Sequence, residues 1–216
     1  MNSLLSNALH MVGQALLIPC LVVLMAFMAI SVWEFGGIIV EYFMEHRKLK
    51  ADIPTLIKNI ATSSREDIGK LIDESALLYR QKKALHALLE AENMSKTSLT
   101  ALAQRLLANE EDYYERATIL TDLTVKLGPV FGLLGTLIPL GPGIVALGQG
   151  DTATLSASLG VAFDTTIAGL ISAAVCYVIS GIRKRWYNDY IITIETIMIN
   201  ILEEVAQDDK KFRHQE

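Results

Sequence analysis

Apolar and polar positions are sorted into long blocks along this chain rather than scattered through it. The first apolar block, "VGQALLIPCLVVLMAFMAISVW", runs from Val12 to Trp33. At about 1.5 Å of rise per helical residue, a block of that length crosses a hydrocarbon core of about 30 Å. A second block over 122–147 is built around "LGPVFGLLGTLIPLGPGIVALGQG", and a third over 154–182 contains "TLSASLGVAFDTTIAGLISAAVCYVISG". These blocks predict an all-α integral membrane protein with three transmembrane helices.

The stretches between and after them are charged but keep a helical period. "DIPTLIKNI" has Asp52 as a cap and Pro54 in the first turn, and Ser64 with Asp67 resembles a capping box. In "IGKLIDESALLYRQKKALHALLEAE", Leu71, Leu78, Leu85, Leu88 and Leu89 recur on one face. Leu99, Leu102, Leu106, Tyr113, Ala117 and Leu120 continue the stripe toward the second span. No Gly or Pro interrupts residues 70–127. Two or three long helices are therefore expected there, the last running on into the membrane. After the third span, Ile191, Ile194, Ile197, Met198, Ile201 and Val205 extend that helix beyond the bilayer. The predicted organisation is 1–44 for an outer N-terminus and first span, 45–121 for a cytoplasmic helical domain, 122–182 for the paired second and third spans, and 183–216 for a cytoplasmic C-terminal helix and tail.

Charge orients these elements. All 19 Lys and Arg residues lie in two groups, 13 from Arg47 to Lys126 and 6 from Arg183 to Arg213. The positive-inside rule then puts the N-terminus outside, "EHRKLK" in the cytoplasm, the "GQGD" turn outside, and "RKRW" with the C-terminus inside a cytoplasmic (inner) membrane. A cleaved signal peptide would need a basic start and a shorter apolar run than this one. A net charge of −5 removes nucleic acid as a partner.

Chemistry enters sparsely. Cys20 and Cys176 sit in apolar runs and read as small hydrophobes rather than a disulfide. The four histidines have no metal-ligand spacing, no phosphate-binding G-x-x-x-x-G-K-[ST] occurs, and no catalytic triad stands out. The sequence predicts no enzyme, no cofactor and no metal. What it does contain is Gly128, Gly132, Gly135, Pro129, Pro139 and Pro142 in the second span and Gly169 in the third. Prolines free carbonyls that a neighbour must satisfy, and small residues let helices approach. The third span also holds an acid, Asp164, with no Lys or Arg between Lys126 and Arg183 to neutralise it. An intramembrane acid is expensive and marks function by default. On a helix Asp164 lies about 100° from Thr165 and about 200° from Thr166, which turns it toward a neighbouring span or subunit.

"GPVFGLLGT" followed by "FDTTIAGL" resembles the paired motif of the MotA/TolQ/ExbB proton-channel family, over about 127–182. The span order and N-out orientation resemble an outlying member of its TolQ/ExbB branch. The resemblance implies a homopentameric ring around two copies of a small ExbD/TolR/MotB-like single-span partner, whose membrane aspartate carries the ion. Ion flow would then drive movement of that partner, as in a mechanochemical stator. It places the family's threonines at Thr136 and Thr166, with Thr165 beside them, and with Asp164 these form the candidate ion pathway. Val161 stands where the TolQ/ExbB branch has a glutamate. A stand-alone ion channel or transporter using Asp164, or a passive membrane scaffold, are the competing readings. Only three spans and no internal repeat count against the transporter.

Overall fold

The computed structural model describes residues 2–43, 55–60, 63, 65–91 and 94–213. They are helical apart from short connections, with no strand among the described residues. The helices are α1 (Asn2–Glu41), α2 (Arg65–Glu74), α3 (Tyr79–Leu89), α4 (Lys96–Gly148) and α5 (Thr152–Arg213), with a further helical stretch at 55–60. Stretches of α1, α4 and α5 are long and apolar enough to cross a membrane. Asp52, Pro54 and Ser64, expected as start signals, lie outside the described residues.

The chain divides into two compact units, Met1–Ile38 with Thr118–Ile182, and Ile39–Ala117 with Arg183–Glu216. The first holds the apolar stretches. Its α4 and α5 are joined by a tight turn at Gln149–Gly150, where Gly150 adopts φ +81°, a conformation that suits glycine. Asp151 then caps α5, accepting from the Thr154 amide at 3.0 Å and from the Thr154 hydroxyl. The Thr154 hydroxyl and amide hold the Asp151 carboxyl below the usual carboxylate range. The hairpin makes α4 and α5 antiparallel. Against α4 lies α1, through an edge-to-face pair of Phe27 and Phe131 with ring centroids 5.9 Å apart. Cys20 Sγ also donates to the Phe131 carbonyl at 3.2 Å.

The other unit has a conventional apolar core. Leu56, Ile60, Ile68, Ile72, Leu85, Leu88, Leu99, Ile194, Ile197 and Ile201 are buried in one cluster. The stripe predicted from Leu99 and the one predicted from Ile194 thus meet each other. Beside it Tyr114 stacks on Tyr187 with centroids 4.6 Å apart, and Tyr190 packs against both. Arg80 lies 3.7 Å from the centroid of the Tyr113 ring and pairs with buried Glu110 at 3.0 Å.

Two or three long helices are expected before the second span; the run from Ile68 is instead divided into two short ones, breaking between α2 and α3. Ser75 ends α2 by donating its hydroxyl to the Ile72 carbonyl at 2.6 Å. Leu78 is extended, and its amide donates to Gln81 Oε1 at 3.1 Å, which starts α3. Serine and glutamine side chains compete with the backbone ladder without any Gly or Pro being needed. The break lets Leu77 and Leu85 bury with Ile72 in one core, which a straight helix could not arrange.

Candidate functional site

The α4–α5 contact is made of glycine. A Cβ built at Gly169 would lie 2.5 Å from the Gly128 carbonyl oxygen, and one at Gly128 would lie 2.8 Å from the Gly169 oxygen. One at Gly135 would overlap Thr165, 2.6 Å from its Cβ, and one at Gly143 would meet Ser158 Cβ at 3.0 Å. Gly128, Gly132, Gly135, Gly143 and Gly169 are thus consumed in bringing these two backbones together, whereas a Cβ at Gly141 or Gly160 would meet nothing within 4 Å. They also fix the depth register: Gly128 is level with Gly169–Ala173, and Gly132 is level with Thr165–Gly169.

That register brings two of the predicted threonines together. Gly132, one turn before Thr136, has its Cβ position 3.5 Å from Thr166 Cα. At about 100° per residue, Thr136 lies about 80° from Gly128 around α4, and Thr166 lies about 60° from Gly169 around α5. Because the helices are antiparallel, these equal-sign rotations point to the same flank of the pair. The α4 residues that receive α1, Phe131 and Ile138, are rotated the opposite way. Thr136 and Thr166 therefore share the flank turned away from α1, at nearly one depth and half-buried.

Thr165 is placed differently. It is buried against Gly135, inside the helix–helix contact. Asp164 is exposed, turned about 100° around α5 from Thr165 and off the buried stripe of Ala162, Thr165, Gly169, Ser172 and Cys176. The four candidate residues thus separate into a flank pair, an interior hydroxyl and an outward acid.

Each threonine hydroxyl donates to its own helix: Thr136 to Leu133 O at 2.7 Å, Thr166 to Ala162 O at 3.1 Å, and Thr165 to Ala162 O at 2.9 Å. The donor is used, but the oxygen's lone pairs remain. In this state Thr136 and Thr166 can accept from water, a hydronium ion or a protonated carboxylic acid. To stabilise a carboxylate, a hydroxyl must first rotate away from its backbone carbonyl.

The prolines have a specific consequence. Pro129, Pro139 and Pro142 lack the amides that would bond the carbonyls of Val125, Gly135 and Ile138. The Ile138 carbonyl receives the Gln14 side-chain amide of α1 instead, at 3.4 Å. Sequence reading passed over Gln14, although an amide inside an otherwise apolar run, in a chain with a proline-freed carbonyl elsewhere, was its visible signal. It also passed over Asp122, whose carboxylate accepts from Ser180 at 2.5 Å at the end of the paired spans remote from the turn. Pairing across 58 residues leaves no local trace in the sequence.

The profile of the MotA/TolQ/ExbB proton channel family matches residues 73–196, more than half of the chain, with all of α4 and most of α5. None of the curated proteins compared with the chain matches it.

Proposed function

Because the chain belongs to the MotA/TolQ/ExbB proton channel family, we propose that it is the ring-forming subunit of a proton-driven membrane complex. Five copies surround a single-span partner present twice, with α4 and α5 lining the centre and the α4–α5 turn on the outer side of the membrane. The partner's intramembrane carboxyl group carries the proton, and its repeated loading and release moves the partner against the ring.

The observation that carries this reading is the common depth and flank of Thr136 and Thr166, turned away from α1. Two half-buried hydroxyl oxygens per subunit make a ring of acceptors that carries no charge of its own. Such a ring suits a protonated carboxyl or hydronium ion that must bind and then leave. Thr165 serves this arrangement from behind, holding Gly135 in place.

Thr136→Ala and Thr166→Ala are expected to reduce partner-dependent proton uptake into proteoliposomes about tenfold to a hundredfold each, the worth of one hydrogen bond to a charged group. Expression and oligomer mass should stay as in the parent. Full uptake by both variants, with the partner present, would remove the threonines from the ion route.

Asp164 belongs, on this proposal, to the contact between adjacent copies. It faces outward from the subunit within an apolar span, beside exposed Phe163 and Ile167, and leaving it in lipid is unfavourable by at least ~2.5 kcal/mol. Asp164→Asn keeps the shape and cannot release a proton. A variant that assembles and conducts normally makes Asp164 a contact residue; one that assembles but does not conduct makes it part of the ion route.

A further inference from the structure

Polar side chains also line the other flank of the α4–α5 pair, the one that faces α1, and nothing above uses them. Ser172 is fully buried, and its hydroxyl has no hydrogen-bond partner. It lies about 60° from Gly169 around α5, in the rotational sense that on α4 leads to Phe131 and so to α1. Its depth is that of Gly128. One turn further on α5 is Cys176, also fully buried, beside Thr124 of α4 and on the way to Glu34 of α1. Thr124 and Thr121 of α4 are both fully buried, and Ser31 of α1 is 6% exposed.

The hydroxyls of Ser31, Thr121 and Thr124 donate to carbonyls of their own helices, at 2.8, 2.8 and 2.9 Å. Their oxygens retain acceptor capacity. Ser172 is the exception, with donor and acceptor both unused. A buried hydroxyl left so is unfavourable by about 1–3 kcal/mol, and an enclosed water relieves it when other polar groups are within reach. Beyond Ser172, toward the turn end, the next buried hydroxyl, Thr165, is packed against Gly135 and donates to its own helix, and the lining becomes Leu24, Phe27 and Phe131. The polar seam therefore begins at Ser172 and descends only one way, to half-buried Glu34 near the Thr118 end of this unit.

We infer that each subunit encloses its own hydrated seam, from Ser172 past Cys176 and Thr124 to Glu34, which holds water and passes protons between mid-membrane and the side remote from the turn. The chemical class is water and hydronium, handed between hydroxyls. A proton needs no lumen, only successive donors and acceptors, and the seam offers these inside one subunit. As the inner half of the proton route it rests on the function proposed above. Its hydration does not.

The native thiols test hydration directly, because Cys176 lies in the seam and Cys20 lies beyond its closed end. Silver ion, a thiol-reactive cation close to water in size, is added to the full-length protein in proteoliposomes. Cys20→Ala leaves only Cys176, and Cys176→Ala leaves only Cys20. Cys176 is expected to react about tenfold or more faster than Cys20, since access governs thiol reactivity once chemistry is matched. Ser172→Leu, which fills the seam, and Ser172→Ala, which removes the anchor without adding bulk, should both slow Cys176. Equal protection of the two thiols would show a dry seam and overturn the inference, as would a Cys176 rate indifferent to both Ser172 variants. A wet Cys176 together with fully active Thr136→Ala and Thr166→Ala would instead keep the seam and remove the threonine route.

Discussion

Gly169→Ala is expected to push the second and third spans apart and to be among the most damaging single-methyl changes in the protein. The added Cβ would sit 2.5 Å from the Gly128 carbonyl oxygen and 3.1 Å from Gly132 Cα. Both are backbone atoms, so no side chain can rotate away. Overpacking of this kind costs about 1–3 kcal/mol, and a rigid backbone contact belongs at the upper end. For a chain of this size each kcal/mol lowers the thermal midpoint by roughly 2–4 °C. Gly181→Ala is the matched control: a Cβ there meets nothing within 4 Å, and alanine is the better helix former by about 0.8–1 kcal/mol. Thermal unfolding in detergent should therefore separate the two variants clearly. A Gly169→Ala midpoint equal to that of Gly181→Ala would mean that the helices do not approach as closely as described. Because Thr136 and Thr166 owe their common depth to this contact, Gly169→Ala should also lose proton uptake.

The second large effect is expected at the Glu41–Arg183 pair. Arg183 Nε donates to Glu41 Oε2 at 2.9 Å, and the two side chains are only 10% and 14% exposed. Removing one partner of a buried pair leaves an uncompensated charge and costs about 3–5 kcal/mol. Arg183→Ala should accordingly cut the yield of folded protein severely. Replacing both charges together, Glu41→Leu with Arg183→Met, should recover most of the loss, because apolar residues of similar volume do not need each other. Fluorescence-detected size exclusion of the single and double variants measures this. If Arg183→Ala alone behaves as the parent does, the pair contributes nothing to folding.

Much of this protein is legible in its sequence. Three apolar blocks, with Lys126 near the start of the second as their one Lys or Arg, announce three membrane-crossing helices, because the bilayer demands length and tolerates little charge. The motif "GPVFGLLGT … FDTTIAGL" identified the family that the profile match supports. The leucine and isoleucine stripes at Leu99 and Ile194 marked faces that do bury together. The α2–α3 break was not legible, because it depends on Ser75 and Gln81 competing with the backbone, and either residue is equally at home inside a helix.

The sequence by itself determined the number of spans, the small-residue composition of the second and third, and the presence of hydroxyls and one acid among them. These follow from local composition and helical period, which need no partner to act. Only the tertiary structure decided that Thr165 faces inward while Thr136 and Thr166 share a flank, that Gln14 donates to the carbonyl freed by Pro142, and that Ser172 lies fully buried without a partner. Each of these depends on how far one helix slides and rotates against another. That register is set by where a backbone carbonyl can approach a glycine far along the chain, and no window of neighbouring residues contains it.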